Sequence, residues 1–248
     1  MIEIKNLTKK FGDTLIWEHV NLKVDDGETL AVIGKSGSGK SVLMKHFNAL
    51  MTANEGQVLI EGENIFDMSY AQLRNVRQRF GVLFQGAALF DSISAFENVA
   101  FPLRYFTSYS EKKIRKRVMD CLEQVNLEDI GNKTTAALSG GMRKRVGLAR
   151  AIVLRPDYIL YDEPTSGLDP ETSDEINDLI ILMAEELDVL SVVVTHDMHS
   201  VLRVADKVAF LDEQKLSWYG TIEDMEKSSH DRLNSFITAS EYQIGKEM

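Results

Sequence analysis

The chain begins with segments in which apolar and polar residues alternate, and it continues with short, unbroken apolar runs. Residues 2–7 and 20–24 alternate, as strands with one buried face do. Unbroken apolar runs of strand length indicate strands that are buried on both faces. Buried strands are predicted at residues 29–33, 80–84, 158–162 and 190–195, and other strands at residues 56–62, 206–211 and 215–219.

Helical periodicity dominates the middle of the chain, between residues 86 and 154. Within it, residues 111–126 place apolar side chains three and four positions apart, so that they share one helical face. These side chains are Ile114, Val118, Cys121, Leu122 and Val125. Other helices are predicted from residue 42 to about Leu50 and over residues 70–79, 139–154 and 171–187. A block of helices inserted into an alternating α/β chain predicts two lobes.

Residues 34–41 read Gly-Lys-Ser-Gly-Ser-Gly-Lys-Ser and match the pattern G-x-x-x-x-G-K-[ST] of a phosphate-binding loop. The segment lies between a predicted buried strand and a predicted helix, as that loop requires. Glycines let backbone N–H groups turn towards phosphate oxygens, and the start of the helix adds about half a positive charge behind them. The residues predicted to bind the nucleotide are Gly34, Lys35, Ser36, Gly37, Ser38, Gly39, Lys40, Ser41 and Val42.

Two side chains of this loop are expected to act directly on the nucleotide. Lys40 is long enough to reach the β- and γ-phosphates, and the Ser41 hydroxyl is a ligand for Mg²⁺. We expect Lys40 to be catalytic, to be exposed to solvent without nucleotide, and to pair with phosphate when ATP binds. A nucleoside triphosphate such as ATP, together with Mg²⁺, is therefore the predicted cofactor, and the loop alone allows kinases, GTPases and many ATPases.

An acidic pair follows the strand predicted at residues 158–162. Four apolar or aromatic residues ending in Asp162 form the Walker B pattern, and this carboxylate is placed to hold a Mg²⁺-bound water. Glu163 comes next and is the candidate general base that polarises the attacking water. An acidic pair after a strand is by itself more often a surface turn, but together with a phosphate loop the catalytic interpretation is favoured.

Residues 138–142, Leu-Ser-Gly-Gly-Met, start another predicted helix with a capping serine and two glycines. Free N–H groups, a close approach of the backbone and a helix dipole again suit a phosphate. One nucleotide does not need two such helix starts from one chain. Ser139, Gly140 and Gly141 are therefore predicted to cap the nucleotide of a second copy, which makes the protein a homodimer with two composite sites.

The overall composition excludes several classes of protein. A net charge of −10 argues against a partner made of nucleic acid. The single cysteine, Cys121, cannot form an intrachain disulfide, so a reducing compartment is expected, and its apolar helix face favours core packing over reactivity. No stretch approaches the ~20 apolar residues that span a bilayer. The first residues lack the apolar core of a signal peptide.

These motifs together resemble the ATP-binding subunits of ABC transporters, from about residue 2 to residue 227. The resemblance implies an α/β fold: a P-loop NTPase (RecA-like) core with an antiparallel β subdomain and an inserted α-helical subdomain. It implies an ATP-binding domain at residues 1–227, with the helical subdomain at about residues 86–155, and a C-terminal tail at residues 228–248. It also implies hydrolysis of ATP to ADP and phosphate, coupled to transport.

The resemblance also assigns roles to single residues. Phe11 matches the aromatic residue that stacks on adenine, and Gln85 matches the glutamine that contacts Mg²⁺ and senses the membrane partner. Asp169 belongs to the loop that crosses the dimer interface in this family. His196 matches the switch histidine that contacts the γ-phosphate, and it is a catalytic candidate. Met142 departs from the family signature, which has glutamine there, and its side chain cannot make the polar contacts of that residue.

The segment after Gln85 is unusually apolar, and in this family it forms a groove that receives a helix of the membrane subunit. We therefore expect residues 86–103, including Phe90, to contact a membrane permease; packing inside the helical lobe is the alternative. This segment and residues 138–146 are similar to the ATPases of bacterial phospholipid-trafficking systems of the Mla type, which work with MCE-domain proteins. Amino-acid and methionine importers share much of the pattern but usually have glutamine in place of Met142.

The expected function is that of an ATP-hydrolysing motor subunit of a bacterial phospholipid transporter. The implied partners are a second copy of the chain, integral membrane permease subunits, and MCE-domain and small accessory subunits. The implied location is peripheral, at the cytoplasmic face of the inner membrane. One alternative is the ATPase of an amino-acid or other small-solute importer. Another is a soluble ABC ATPase that acts on nucleic acid or the ribosome, against which the net charge and the single cassette argue.

The tail after residue 227 carries a helical pattern of its own. Leu233, Phe236 and Ile237 fall on one face, with Tyr242 and Ile244 beyond. Either the tail docks on a partner or it forms a short helix that covers its own domain, and the pattern fits both.

Overall fold

A computed structural model describes residues 1–244 of the chain, with side chains up to residue 240. The strands are β1 (Ile2–Phe11), β2 (Thr14–Val24), β3 (Thr29–Ile33), β4 (Glu55–Ile60), β5 (Glu63–Asn64), β6 (Phe80–Leu83), β7 (Tyr158–Asp162), β8 (Leu190–Val194), β9 (Lys207–Asp212) and β10 (Lys215–Thr221). The helices are α1 (Lys40–Phe47), α2 (Tyr70–Gln78), α3 (Ala95–Phe106), α4 (Glu111–Gln124), α5 (Gly140–Ile152), α6 (Pro170–Leu187), α7 (Met198–Val204), α8 (Ile222–Glu226) and α9 (Asp231–Ile244). The chain divides into two compact units, the first made of residues 1–77 and the chain from Leu190 onward, the second of residues 78–189.

An antiparallel sheet in the first unit has the strand order β2-β1-β4-β5. Its alternating apolar residues bury one face, with Ile2 and Ile4 at most 1% exposed. Strands β1 and β2 are longer than the sequence alternation predicts. The register shifts between Ile4 and Leu7, and Asn6 and His19 adopt φ angles of 47° and 51°. Such bulges break the period of two, so the pattern does not show the full length of the strands.

Parallel strands form the second sheet of this unit. Strand β3 pairs with β8 on one side and with β9 on the other, and β10 joins β9 antiparallel. Every residue of β3 and β8 is buried, as unbroken apolar runs predict. Because Val32 lies opposite Val194, the segments that follow β3 and β8 leave the sheet at the same edge. These two segments carry the phosphate loop and His196.

Helix α1 ends at Phe47 rather than near Leu50 as predicted. Beyond its capping residue Asn48, Ala49 has a left-handed φ of 52°, which ends the helical path. Arg77 donates hydrogen bonds to the carbonyl oxygens of Asn48 and Ala49 at 3.2 and 2.6 Å. The end of the helix is thus held by a side chain distant in sequence, which local patterns do not reveal.

The first turns of the C-terminal tail pack on the first unit. Leu233 is fully buried in one cluster with Ile33 and Phe210, and Phe236 and Ile237 pack against it. This face of α9 therefore covers its own unit. The described side chains do not include Tyr242 and Ile244, and residues 245–248 lie outside the described residues.

The second unit contains a parallel strand pair and the helical block. Strands β6 and β7 pair with Leu83 opposite Tyr161. Helix α4 buries the face that its periodicity predicts: Ile114, Val118, Cys121 and Leu122 are at most 3% exposed. Within residues 1–244, the structure has no helix of the length and apolarity that crossing a bilayer requires.

Candidate functional site

The phosphate loop lies between β3 and α1, as the sequence predicts. Gly39 caps α1 with left-handed backbone and without a side-chain hydrogen bond to the first turn. The first N–H groups of a helix that lacks a side-chain cap are donors for an anion. The Ser38 hydroxyl is buried and has no hydrogen-bond partner among the described residues. Because a buried hydroxyl without a partner is costly, this loop fits a phosphate oxygen as its partner.

Gly34 sets the path by which the chain enters the loop. Its φ angle is 151°, and a β-carbon at this position would lie 2.4 Å from the carbonyl oxygen of Leu211 and 2.7 Å from Ser38 Oγ. The Leu211 oxygen belongs to the backbone of β9 and cannot rotate away. Only glycine therefore fits here, and the close contact fixes the loop against the neighbouring strand.

Lys40 is buried, and the expectation that it is exposed to solvent is wrong. Only 8% of Lys40 is exposed to solvent. The ammonium donates hydrogen bonds to the carbonyl oxygens of Gly34 at 2.8 Å and Lys35 at 3.3 Å. A charge taken from water needs such acceptors, and the curled loop supplies them directly before the helix that Lys40 starts. Its role towards phosphate stays a prediction.

The other loop residues and Phe11 offer accessible surface in the first unit. Phe11 ends β1 and is 47% exposed, with the Lys9 ammonium 4.9 Å from its ring centroid. Ser41 and Val42 lie in the first turn of α1 and are partly exposed. The remaining exposed positions of the loop are Lys35, Ser36 and Gly37. An exposed ring at the end of a strand is compatible with stacking on a base, which stays a prediction.

His196 follows β8 at the edge that carries the phosphate loop. The N–H of Thr195 donates to the carbonyl oxygen of Val32 at 3.2 Å, so the pairing of β3 and β8 continues up to the histidine. His196 itself is exposed. Asp197 then caps α7 by accepting from the N–H of His199 at 3.0 Å. The strand and the cap thus hold the histidine on both sides.

Gln85, Asp162 and Glu163 lie at one edge of the β6–β7 pair in the second unit. Because Leu83 is opposite Tyr161, the segments after both strands leave at the same side. Asp162 is the last residue of β7, and Gln85 is exposed shortly after β6. Carboxylate and amide oxygens are ligands that suit Mg²⁺. This edge therefore fits the predicted metal chemistry.

A tight turn follows Glu163, which has a left-handed φ of 48°. Its carbonyl oxygen accepts two hydrogen bonds, from the N–H of Ser166 at 3.3 Å and from the ammonium of Lys144 at 2.9 Å. The amide of Gln85 donates to the Ser166 hydroxyl at 3.4 Å. The candidate general base, the glutamine and a lysine of α5 are therefore connected through one turn.

Lys144 of α5, which donates to this turn, was not identified from the sequence. It is 5% exposed. Burial lowers its pKa to about 8, against the opposing influence of the negative charges of Asp162 and Glu163. A signal was available, because Lys144 shares the spacing of the buried face of α5. The other members of that face are Gly147, Leu148 and Ala151.

The start of α5 has the capping arrangement that the sequence predicts. The Ser139 hydroxyl accepts from the N–H of Met142 at 3.2 Å. A β-carbon at Gly141 would lie 2.5 Å from Cγ2 of Thr172, so glycine allows the close approach of α6. Gly140 beside it is half-buried, and Ser139 is exposed. That this helix start reaches the nucleotide of a second chain stays a prediction.

Asp169 caps α6 through the same threonine. Its carboxylate accepts from the N–H of Thr172 at 2.9 Å and from the Thr172 hydroxyl at 2.7 Å. These two hydrogen bonds lower the pKa of Asp169, because they favour the charged carboxylate. Thr172 thus contacts both the Asp169 cap and the position of Gly141, and it connects two of the predicted interface segments.

The loop before α3 is held by a buried asparagine. Asn98 is fully buried, and its side-chain oxygen accepts from the N–H of Phe90 at 2.8 Å. Its amide nitrogen donates to the carbonyl oxygens of Phe90, Ile93 and Ser94 at 3.1, 3.4 and 3.0 Å. The segment predicted to meet a membrane partner therefore has a defined conformation.

Arg150 of α5 holds the beginning of the same loop. Its guanidinium donates to the carbonyl oxygens of Ala87 and Ala88 at 2.6 and 2.7 Å. Both alanines have left-handed φ angles, 58° and 47°. Burial lowers the pKa of Arg150, and the two carbonyls compensate its charge. Neither Arg150 nor Asn98 was singled out from the sequence. Arg150 acts on main-chain atoms distant in sequence, and Asn98 acts on a nearby loop whose conformation follows no periodic pattern.

Three aromatic side chains, Phe90, Phe101 and Tyr105, form an exposed surface that we call the aromatic patch. They are 46%, 44% and 61% exposed. The ring centroids of Phe90 and Phe101 are 5.0 Å apart, and those of Phe101 and Tyr105 are 6.3 Å apart. Phe90 thus contacts a neighbouring ring and remains half exposed, so that it is not part of the core of the helical block.

The two units divide the predicted site residues between them. The first unit carries Phe11, residues 34–42 and His196, and the second carries Gln85, Ser139, Gly140, Gly141, Asp162, Glu163 and Asp169. The first group supplies the backbone and the lysine that are predicted to bind phosphate, and the second supplies carboxylates and a serine-capped helix start. Both sets of chemistry are those that an ATPase needs.

Comparison with known proteins agrees with this chemistry. The ABC transporter family model matches residues 17–166. The intermembrane phospholipid transport system ATP-binding protein MlaF of Haemophilus influenzae is 42% identical, over 96% of this chain and 90% of that protein. The probable ribonucleotide transport ATP-binding protein mkl of Mycobacterium leprae is 41% identical, over 95% of this chain and 68% of that protein. The methionine import ATP-binding protein MetN of Clostridium tetani is 36% identical, over 97% of this chain and 76% of that protein.

A solved structure shows the same fold. The dimeric ATP-binding cassette MJ0796, in a post-hydrolysis state bound to ADP and Pi, has a TM-score of 0.82 and 33% identity, and the alignment covers 90% of this chain and 99% of that one. The predicted α/β fold with a P-loop NTPase core, an antiparallel β subdomain and a helical subdomain is therefore confirmed. The chain belongs to the ABC transporter family, and it is an ATPase that binds ATP and hydrolyses it to ADP and phosphate.

Proposed function

We propose that this chain is the ATP-hydrolysing subunit of a bacterial transporter that moves phospholipid between membranes. The observation that carries the proposal is the 42% identity, over almost the whole chain, to a protein named for intermembrane phospholipid transport. The substitution of Met142 for the usual signature glutamine supports the same branch. An importer of amino acids or other small solutes is the second candidate, which the 36% identity to a methionine import protein supports.

The first step of the proposed cycle is ATP binding by residues of the first unit. Phe11 stacks on adenine with its exposed ring. The N–H groups of residues 34–42 and the Ser38 hydroxyl bind phosphate oxygens, and the Lys40 ammonium balances their charge. The adjacent positions of the phosphate loop and His196 on β3 and β8 support this assignment, because both segments then face one terminal phosphate.

Hydrolysis requires an activated water and stabilisation of the charge that develops on the phosphate. Mg²⁺, when bound, would neutralise phosphate charge, and the residues that would hold it are Ser41, Gln85 and Asp162. Glu163 polarises the attacking water as general base, and His196 contacts the γ-phosphate. The position of Glu163 directly after Asp162, at the edge that also carries Gln85, supports the base role.

We propose further that two copies of the chain form both ATP sites. Ser139, Gly140 and Gly141 of one copy complete the site of the other, and Asp169 lies at their interface. The dimeric form of the MJ0796 cassette supports this arrangement. Cysteines introduced at Ser36 and Ser139, in a Cys121→Ser background, should form a disulfide between chains when ATP is bound. A disulfide that forms only within one chain would contradict the composite site.

The aromatic patch is the proposed contact with the membrane permease. An apolar surface of this kind marks an interface when it is contiguous, and the hydrogen bonds from Asn98 and Arg150 hold its loop in place. The proposed location is the cytoplasmic face of the inner membrane, where the chain is peripheral. MCE-domain and small accessory subunits complete the proposed complex.

Affinity purification from membranes tests the function, with the co-purifying subunits and bound lipid identified by mass spectrometry. We expect a permease together with phospholipid. A permease with a solute-binding protein and no lipid would favour the importer, and the absence of any membrane protein would contradict both.

Phe90→Asp should lose the permease while the free chain melts within about 3 °C of wild type, because a half-exposed side chain contributes little to the fold. Tyr70→Asp, at a 77% exposed position of the first unit, is the matched control.

A further inference from the structure

Lys144 is a buried ionic group to which the proposed cycle gives no role. It lies on α5, the helix that starts at the signature segment 138–142. Its neighbours along the helix face are apolar or glycine, and the residue is only 5% exposed. Burial of an ammonium is unfavourable unless hydrogen bonds compensate it. A lysine at such a position therefore calls for a specific partner.

That partner is the main chain of the candidate general base. The Lys144 ammonium donates to the carbonyl oxygen of Glu163 at 2.9 Å. The same oxygen accepts from the N–H of Ser166 at 3.3 Å. Two donors on one carbonyl restrict the rotation of its peptide group, and they act on the residue whose side chain must face the water.

The backbone of Glu163 needs such support. Its φ angle of 48° lies in the left-handed region, which residues other than glycine rarely adopt. Pro164 follows directly, and proline disfavours helical backbone in the residue before it. Conformations of this kind persist at functional sites because surrounding contacts hold them. The Lys144 bond is one such contact, and it comes from a different element of the second unit.

We propose that Lys144 is a positioning residue for catalysis: by its bond to the Glu163 carbonyl it keeps the carboxylate of Glu163 aimed at the attacking water. The inference rests on the proposed role of Glu163 as general base. Helix α5 then has two roles in the proposal. The helix start that Ser139 caps reaches the nucleotide of the other copy, and Lys144, one turn later, positions Glu163 of its own chain. Lys144 contacts neither nucleotide nor water in this proposal.

Steady-state ATPase kinetics of the full-length chain with Mg²⁺ test the proposal. Lys144→Met keeps the length and the apolar stem but removes the donor. We expect kcat to fall about tenfold or more, since small displacements of a catalytic group have effects of this size. KM for ATP and the affinity for a fluorescent ATP analogue should stay within about twofold. Lys144→Gln retains an N–H donor and should recover kcat to within about threefold of wild type.

A double-mutant cycle separates positioning from a general structural role. In a Glu163→Gln background, Lys144→Met should cause no further loss, because the group that it positions is already gone. Additive losses, an unchanged kcat in Lys144→Met, or an equal loss in Lys144→Gln would each overturn the proposal. Full activity of Glu163→Gln would instead refute the base assignment itself, so the two failures are distinguishable.

Two controls keep the result interpretable. Lys116→Met changes an exposed lysine of α4 to the same residue and should leave kcat unchanged. If Lys144→Met does not fold, as shown by thermal melting, Lys144→Ala takes its place, because alanine also lacks a donor and is favourable in a helix. The same kcat loss in a folded alanine variant would support the proposal, and wild-type kcat would overturn it.

Discussion

Among the described side chains, each unit buries one lysine near the start of a helix: Lys40 in α1, which follows a glycine-rich loop, and Lys144 in α5, which begins with two glycines. The two lysines are held differently. Lys40 is the first residue of α1 and binds carbonyl oxygens of the loop immediately before it. Lys144 lies further along α5 and binds the carbonyl of Glu163, which follows a strand much later in the chain. The first lysine belongs to a local motif, and the second connects two elements.

This difference bears on what each lysine contributes. The hydrogen bonds of Lys40 close its own loop, so its charge stays where phosphates are predicted to bind. The hydrogen bond of Lys144 fixes another residue, so its contribution depends on what that residue does. Effects on binding and on chemistry are thus expected to separate between the two lysines, and the variants below test that separation, beginning with the largest effect.

Glu163→Gln should have the largest effect, on chemistry alone. The amide cannot accept the proton of water, and loss of a general base typically lowers the rate about 10²- to 10⁴-fold. ATP affinity should remain, and the variant should accumulate as an ATP-bound dimer. Single-turnover hydrolysis and size-exclusion chromatography with ATP measure the two effects. Near-normal turnover would show that Glu163 is not the general base. Lys144 would then hold no catalytic group, and the contrast between the two lysines would be lost.

Lys40→Ala should act mainly on binding, with a loss of affinity for ATP of about 100-fold, because a buried charge-assisted contact to phosphate is removed. Equilibrium titration with a fluorescent ATP analogue measures it. Because the lysine also binds two loop carbonyls, the melting temperature without nucleotide should fall, by less than about 5 °C. Lys45→Ala, on the same helix, is the control. A collapse of melting temperature with intact affinity would make Lys40 structural.

Gly34, where the chain enters the phosphate loop, and Gly141, in the first turn of α5, should differ in their tolerance of a methyl group. At Gly34 the methyl would meet a backbone oxygen at 2.4 Å, so Gly34→Ala should destabilise the fold by about 3 kcal/mol. At Gly141 it would meet Cγ2 of Thr172 at 2.5 Å. Rotating that side chain breaks its hydroxyl hydrogen bond to Asp169 but moves no backbone, so Gly141→Ala should cost less, about 2 kcal/mol. Denaturant unfolding measures both, with Gly86→Ala as control. An equal loss at both positions would contradict the contrast.

Cys121 needs no substitution and provides a reference for a buried group to which no role is assigned. Burial favours the neutral thiol and raises its pKa to about 11. At pH 8 only about 0.1% of such a group is thiolate, so the native chain should react at least ~100-fold more slowly with a thiol reagent than the denatured chain. Rapid, complete labelling of the native chain would show that the buried face of α4 opens to solvent. Burial alone would then not show that a side chain such as Lys144 is held in a fixed position.

The sequence predicted those parts of the site whose partners lie close along the chain. Residues 34–41 are recognisable because the strand, the glycines and the helix follow one another directly. The serine cap of α5 and the acidic pair after β7 are local in the same sense. The bond from Lys144 to Glu163 is not, since it depends on how two elements pack.

The same limit explains the errors in the fold and in the exposure of Lys40. The end of α1 depends on Arg77, and the length of β1 depends on a bulge at Asn6 that interrupts the alternation. Lys40 looked exposed because its charge was considered without the carbonyl oxygens of its own loop. Local pattern thus predicts which groups are present, whereas burial and long-range hydrogen bonds decide how they are held.

The hydrogen bonds from Asn98 and Arg150 to the loop after Gln85 have a consequence for substitutions in that loop. Among the described residues, the hydrogen bonds of both side chains to this loop go to its main-chain atoms. The main chain at Phe90 is therefore held without help from the Phe90 side chain, although the Asp91 carboxylate also fixes the loop by accepting from the Thr135 hydroxyl at 3.1 Å. We therefore expect the main chain to keep its course when Phe90 is replaced, so that single substitutions change the surface offered to a partner without changing the fold.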